Sequence, residues 1–501
     1  MLTIFWRDLN ANNLAINAYT VIPSLRMSRG NFIYPCNVTL KVGRITIAEV
    51  LITHIVIFNQ SLQNKRTSTI TSLRNNYMQR SQSLWKQLNL SLRSRRFSIK
   101  RILFEIFGLM IMLQAIVVLI LQFVSMIRRQ HEHRRSFPHS YMEEVEIGEN
   151  TVQIYDYGRD LYESMLSAID AARESIYLET YIWKDDHMGR EFKQKLACKA
   201  NQGVDVYVIF DSFANAVVPR AFKVFPPNIH TLKYQAFYKP WHIIDPRHYA
   251  LDHRKLLVVD GTTGFIGGFN LGSLYETTWR DTHMRIKGPE AAHLAQSFTD
   301  FWNQHTPNQH HITRHYPRRF NPLINIRGTS ALRLTFPIRD MYIEAIDKAE
   351  HSIFLSNAYF VPDRVLLGAL KAAARRGVDV QILVPWVSNH VIVDWLTRGY
   401  FVECMKAGIC IFGYRHMLHA KTCTIDGEWS TIGTANLDRL SSVGNYELNV
   451  EVYSKKLAHQ MEELFKCDTS NAFELTLDEW LKRPWYAILS ERILAPLRAL
   501  L

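Results

Sequence analysis

Two stretches of this sequence are near copies of each other, and that duplication limits the fold more than any other feature. HRKLLVVDGTTGFIGGFN runs from His253 to Asn270, and HAKTCTIDGEWSTIGTAN runs from His419 to Asn436. The offset between the histidines is 166 residues. It is kept by Lys255 and Lys421, Asp260 and Asp426, Gly267 and Gly433, Asn270 and Asn436, and further on by Asp281 and Glu447. Six polar or glycine pairs in constant register over 29 positions are hard to obtain by chance. The surroundings repeat as well. A helical stretch around 161–173 leads into SIYLETY at Ser175–Tyr181, and a helix around 192–200 leads into GVDVYVIFD at Gly203–Asp211. The same order returns with SIFLSNAYF from Ser352, a helix over 364–376 and GVDVQILVP from Gly377. Apolar strand-like runs alternating with helices specify an α/β body. Their return in matching order predicts two similar α/β lobes, over 140–320 and 321–470.

The duplicated residues suggest a chemistry. In a strand, His and Lys two positions apart point to one face, while the residue between them points away. Each copy therefore offers an imidazole beside an ammonium, and two copies brought together would surround one pocket. Lys255 and Lys421, with Asn270 and Asn436, can donate to the non-bridging oxygens of a phosphoryl group. One imidazole can attack phosphorus while the other protonates the departing oxygen. Asp281 and Glu447 are candidates to orient the histidines through the far ring nitrogen. A lysine beside each histidine argues against a metal centre, because an ammonium repels a cation. Asp260 and Asp426 stand seven residues from their histidines, an odd number along a strand, and suit a turn before Gly261 and Gly427.

Composition bears on what the site can act upon. The chain's net charge is +13, but residues 1–100 hold 14 Lys/Arg against only Asp8 and Glu49, a local excess of +12. The remaining residues are almost neutral, which weakens any case for nucleic acid as a partner. A disordered basic arm, a membrane-surface segment, a targeting segment and sequence upstream of the true start all fit 1–105. Next come 22 residues without a charge, IFGLMIMLQAIVVLILQFVSMI, over 106–127. At about 1.5 Å per residue such a helix is about 33 Å long, enough to span a bilayer. Arg95, Arg96, Lys100 and Arg101 precede it and Arg128, Arg129, Arg134 and Arg135 follow it, so flanking charge leaves its orientation open. Six scattered cysteines, with no C-x-x-C pair, suit free buried thiols in a reducing compartment.

With these residues in view, the paired H-x-K-x-x-x-x-D boxes, followed by GGFN and GTAN, resemble the phospholipase D superfamily from roughly residue 140 to 470. Within it, LETYIWKDD at Leu178–Asp186, WRDTHMRIKGP at Trp279–Pro289, NAYFVPD at Asn357–Asp363 and GTANLDRLS with NYELNVEV at Gly433–Val450 are similar to bacterial cardiolipin synthases. The resemblance implies two phospholipase D-like lobes sharing one active site, preceded here by one transmembrane helix. It implies neither metal nor other cofactor, and a covalent phosphatidyl-histidine intermediate. His253, Lys255, Asp260, His419, Lys421 and Asp426 are the catalytic set by the family motif, with His253 attacking and His419 as the acid. The implied reaction joins two phosphatidylglycerols into cardiolipin and glycerol, with phosphatidylethanolamine a further candidate substrate. The implied location is the cell inner membrane, single-pass, with the body on the cytoplasmic side. Two departures stand out. Such enzymes often carry two N-terminal membrane helices or none, and the first box continues LGSLY where the second continues LDRLS.

The motifs alone do not separate transfer from hydrolysis, since either water or an alcohol can meet the intermediate. A hydrolytic phospholipase D and a phosphatidylserine synthase are the nearest rivals, with a nuclease and a non-enzymatic membrane scaffold behind them. His305, His310, His311 and His315 crowd the connection between lobes, where Pro307 and Pro317 favour a solvated loop over a metal site. The C-terminal 471–501 mixes Trp480, Trp485, Ile488 and Leu489 with Lys482, Arg483 and Arg492. An interfacial amphipathic segment and a helix packed on the body both fit that pattern.

Overall fold

A computed structural model describes residues 99–130, 137–236, 249–316, 320–330 and 333–499, with 41–42, 45–46, 82–83 and 86 of the head. Cys36 and most of the basic head lie outside the described residues. The chain divides into Met1–Glu105 and Ile106–Leu501. In the first unit, Lys41–Val42 pairs antiparallel with Ile45–Thr46.

The duplication predicted from sequence is realised as two eight-stranded sheets. The first contains β1 (Val145–Ile147), β2 (Asn150–Tyr155), β3 (Ser175–Thr180), β4 (Asp205–Asp211), β5 (Ile229–Tyr234), β6 (Leu256–Val259), β7 (Thr263–Gly267) and β8 (His283–Lys287). Its spatial order is β1-β2-β8-β7-β6-β3-β4-β5. The second contains β9 (Ile324–Thr329), β10 (Ser352–Asn357), β11 (Asp379–Pro385), β12 (Cys410–Tyr414), β13 (Lys421–Ile425), β14 (Trp429–Gly433), β15 (Glu447–Tyr453) and β16 (Ala472–Leu475). Its order is β9-β15-β14-β13-β10-β11-β12-β16. The seven strands from β2 to β5 across the first sheet match the seven from β9 to β12 across the second. Each lobe then adds one edge strand of its own, β1 or β16, on opposite sides. Residues 472–475, which sequence assigns to the C-terminal segment, thus extend the second sheet by pairing with β12.

Burial explains why these segments are strands. Every residue of β3 is buried, and so is every residue of β6, β13 and β14. Central strands are covered on both faces, and β6, LLVV, is apolar throughout as such a place favours. Helices Gly158–Ala171 and His187–Asn201 connect the strands of the first lobe, as Arg364–Arg375 does in the second. Asp363 starts the last of these by accepting from the Val365 and Leu366 amides at 2.7 and 2.9 Å, the usual N-cap arrangement. One hydrophobic cluster joins the lobes, uniting Ile266, Met284 and Ile286 with Ile432, Leu448 and Val450. A continuous core of this kind fixes the two sheets against each other.

The charge-free stretch lies within a single helix, Ile99–Gln130. Its span Leu103–Met126 has a mean hydropathy of 2.5 and is almost entirely unburied. That excludes the core of a globular lobe as the reason for its apolarity, since a core helix would be covered. His305 ends the helix Ala291–His305, and its Nδ1 lies 2.8 Å from the Phe301 carbonyl; it is therefore helical, where the prolines suggested a loop.

Candidate active site

Both histidine boxes are built alike. The segment before β6 bridges to the other lobe, with Asp252 beside Tyr446, and the segment before β13 does the same, with Leu418 beside Arg280. The His253 amide donates to the Tyr446 carbonyl at 3.1 Å, and the His419 amide donates to the Arg280 carbonyl at 2.6 Å. Each histidine is thereby laced next to a carboxylate residue of the opposite lobe. His253 Nδ1 lies 3.0 Å from both carboxylate oxygens of Glu447, and His419 Nδ1 lies 2.5 Å from Asp281 Oδ2. The pairing is crossed.

The lysines follow the two-residue period of a strand. Lys255 Nζ donates to the His253 carbonyl at 2.7 Å, and Lys421 Nζ donates to the His419 carbonyl. All four side chains are buried, as are Asn270 and Asn436. Asn270 Oδ1 accepts from the Ile182 amide at 3.1 Å. Asn436 Oδ1 has no hydrogen-bond partner among the described residues. The aromatic wall consists of Tyr181, whose ring centre is 4.7 Å from that of His253, and of Trp279 and Tyr359 at 5.3 and 6.2 Å from that of His419.

Asp260 and Asp426 do not join this cluster. Both occupy the left-handed region, φ 52° and 54°, each followed by a glycine that does the same. Two successive positive φ values make the hairpin turns β6–β7 and β13–β14 of the type that Asp-Gly favours. The Asp260 carboxylate accepts from the amides of Arg173, Glu174 and Ser175, and that of Asp426 from those of Glu350, His351 and Ser352. The family motif implies their membership of the catalytic set, whereas the structure sets both carboxylates apart from the histidines. Three amides occupy each carboxylate at the end of the strand away from the imidazole, so both aspartates position the hairpin.

The two histidine pairs differ electrostatically. Burial pushes the Glu447 carboxyl up to about 8, against the pull of Lys255. Asp281 is also buried, yet His419 and Lys421 hold it below the usual carboxylate range. Burial drives the His253 imidazole well below its ordinary value, and Lys255 and Lys421 add to that. His419 is likewise pushed down by burial and by Lys421, but the ionised Asp281 opposes this directly. Both imidazoles are thus held neutral, and His419 alone has an ionised carboxylate at its far nitrogen.

Residues that sequence reasoning passed over shape this difference. Thr434 Oγ1 donates to Glu447 Oε2 at 2.5 Å. Its counterpart Gly268 has no side chain, and a Cβ there would lie 2.0 Å from Asp281 Oδ1. The contrast of GGFN with GTAN was the available signal. Gly268→Ala is expected to displace Asp281 from His419 and lower kcat/KM about 100-fold, the scale set by misplacing a catalytic group by about 1 Å. Steady-state kinetics on the folded variant checks this, with near-parental kcat/KM as the contrary result.

The two sheets and their crossed histidine pairs define a two-lobed phospholipase D-type protein. A family model described as cardiolipin synthase, PLD-like domain, matches residues 165–302 and 342–469. The major cardiolipin synthase ClsA of Bacillus subtilis (strain 168) is 31% identical over 379 residues, covering 70% of this chain and 76% of that protein. A cardiolipin synthase of Listeria innocua is 32% identical over 368 residues, with the same coverages of 70% and 76%. The crystal structure of phosphatidylserine synthase from Haemophilus influenzae Rd KW20 shares the fold at a TM-score of 0.56, covering 72% of this chain and 95% of that one at 13% identity. The chain belongs to the phospholipase D-like cardiolipin synthase family and is an enzyme of the phosphatidyltransferase class. Its exposed apolar helix and this membership point toward membrane association.

Proposed function

We propose that this enzyme makes cardiolipin from two phosphatidylglycerol molecules, releasing glycerol, at the cytoplasmic face of the cell inner membrane as a single-pass protein. The crossed pairing of two buried histidines with carboxylates of the opposite lobes carries this reading. Transfer is preferred to hydrolysis because the relatives that cover most of the chain are cardiolipin synthases. Neutral His253 attacks phosphorus through Nε2, forming an N–P bond while the bond to the departing glycerol oxygen breaks. His419 gives that oxygen its proton. The glycerol hydroxyl of a second phosphatidylglycerol then loses its proton to His419 and attacks phosphorus, the N–P bond breaks, and cardiolipin leaves. Lys255, Lys421, Asn270 and Asn436 hold the non-bridging oxygens, where charge develops. Glu447 and Asp281 fix the far nitrogens of the rings.

This mechanism has a pH signature. Burial pushes the Lys255 ammonium down to about 7 and the Lys421 ammonium down to about 8. Lysines that bind phosphate must be protonated, so kcat/KM is expected to fall as pH rises through this window. A bound phosphodiester favours the ammonium form, so the alkaline limb of kcat should lie at higher pH. The apparent values belong to the whole cluster. A pH profile without an alkaline limb in kcat/KM contradicts the role of the lysines.

The reaction itself is tested with detergent-solubilised protein and labelled phosphatidylglycerol, without nucleotide. Labelled cardiolipin and free glycerol in equal amounts are expected. Phosphatidic acid as the sole labelled lipid product would make the enzyme a hydrolase.

A further inference from the structure

The apolar helix Ile99–Gln130 is not a free stalk. Val117, Val118 and Leu121, spaced to share one helical face, pack against a cluster of Val361, Leu396 and Leu494. Gln114, one turn earlier on the same face, is buried, and its Nε2 donates to the Ile493 carbonyl at 3.1 Å. Ile493 and Leu494 belong to the C-terminal helix Trp485–Leu494. Gln114 stands near the middle of the apolar span Leu103–Met126. From there to Met126 the helix advances about 18 Å, at 1.5 Å per residue, which is roughly half the thickness of a bilayer's hydrocarbon core plus its edge. The chain continues from Gln130 into the body, so the docked half of the helix lies in the leaflet on the body's side.

The docked face is itself dressed for a lipid surface. Trp485, Tyr486 and Leu489 on the C-terminal helix are 73%, 59% and 47% exposed, and Leu481 beside them is 53% exposed. Lys482 and Arg492 are exposed among them. Aromatic rings, aliphatic side chains and cations together on one short helix are the composition of an interfacial segment. Trp480, in contrast, is buried against Phe401, and Arg483 lies over its ring while pairing with Glu491, so the inner side of this region is fixed to the lobe. The C-terminal segment thus packs on the lobe through Trp480 and Arg483 and leaves Trp485, Tyr486 and Leu489 exposed.

We propose that the C-terminal helix and the apolar helix together seat the second lobe in the body-side leaflet, so that a bilayer phospholipid keeps its acyl chains beside this face while its phosphate reaches the histidines. The proposal rests on the cardiolipin synthase reading for the identity of the lipid. This face lies close to the site. Val361, in the cluster that receives the apolar helix, is two residues from Tyr359, whose ring flanks His419. The Val361 amide also donates to the carbonyl of Leu437, next to Asn436.

Two measurements on the full chain reconstituted in phosphatidylglycerol vesicles test this. The first compares quenching of tryptophan fluorescence by brominated lipid in the parent and in Trp485→Phe; the variant is expected to lose part of the quenchable signal. The second uses Trp485→Glu with Leu489→Glu, both outside the catalytic machinery. Turnover of long-chain phosphatidylglycerol in vesicles should fall at least about tenfold, while turnover of soluble dihexanoyl phosphatidylglycerol stays within about twofold of the parent. Identical quenching in the parent and Trp485→Phe overturns the seating. Equal effects on both substrates, whether loss or none, overturn the route. Should the parent itself make no cardiolipin from either lipid, the functional reading fails, and the quenching comparison still decides the seating.

Discussion

Replacing His253 by alanine is expected to lower lipid turnover by at least about ten-thousand-fold, the scale for removing a covalent nucleophile. His253→Ala leaves no group able to form the N–P bond, so no covalent adduct should accumulate with any phosphodiester. His419→Ala should behave differently. Loss of a general acid costs about 100- to 10,000-fold when the leaving group is a poorly acidic alcohol. With a nitrophenyl phosphodiester, whose leaving group departs without a proton, His419→Ala should still form the adduct and then stall, because the acceptor hydroxyl lacks its base. Burst kinetics on the two variants distinguishes these outcomes. A burst of nitrophenol from His253→Ala and none from His419→Ala would reverse the two roles.

Arg280→Ala should give the largest loss of stability among single substitutions near the site. The Arg280 guanidinium is buried and grips both oxygens of Asp468 at 2.8 and 2.7 Å, while also bonding the Asp281 carbonyl and Thr282 Oγ1. Breaking a buried ion pair from one side costs about 3–5 kcal/mol, because the remaining charge is left unpaired. Burial already pushes the Asp468 carboxyl up to about 6, against the pull of Arg280. Without the arginine it should rise further. A raised folded-state value means the folded protein holds the proton more tightly, so stability is gained as pH falls through it. The variant should therefore lie closer to the parent at pH 5 than at pH 8 in chemical denaturation. Arg280→Met combined with Asp468→Leu should recover much of the loss. Activity should stay impaired in Arg280→Ala, since the lost guanidinium also bonds the Asp281 carbonyl and Thr282 Oγ1, beside the carboxylate that meets His419.

What was legible in the sequence follows from period and repetition. Runs such as SIYLET and DVYVIFD have apolar centres, IYL and VYVIF, and lie between helical stretches, so their burial as central strands could be foreseen. His and Lys two apart share a face in any strand, and the fixed offset of 166 brought two such pairs into one expectation. The partners of the histidines were legible as residue types, but the crossing was not. Neither spacing nor hydrophobic pattern records that His253 meets Glu447, 194 residues away, or that Arg280 meets Asp468, 188 residues away. Those contacts are made by the packing of one lobe on the other. Asp260 and Asp426 show the opposite case, where the odd spacing and the following glycine pointed to the hairpin turns that the structure shows. Thr434 was visible only as an asymmetry between GTAN and GGFN, and its meaning required the position of Glu447.

The central claim is that two crossed histidine pairs form one phosphatidyl-transfer site in which His253 is the nucleophile. It is tested most directly by trapping the enzyme in acid after mixing with a nitrophenyl phosphodiester and mapping phosphorus to a peptide by mass spectrometry. The account predicts the adduct on the peptide containing His253 in the parent and in His419→Ala, and none in His253→Ala. An adduct on the His419 peptide that survives in His253→Ala would contradict it.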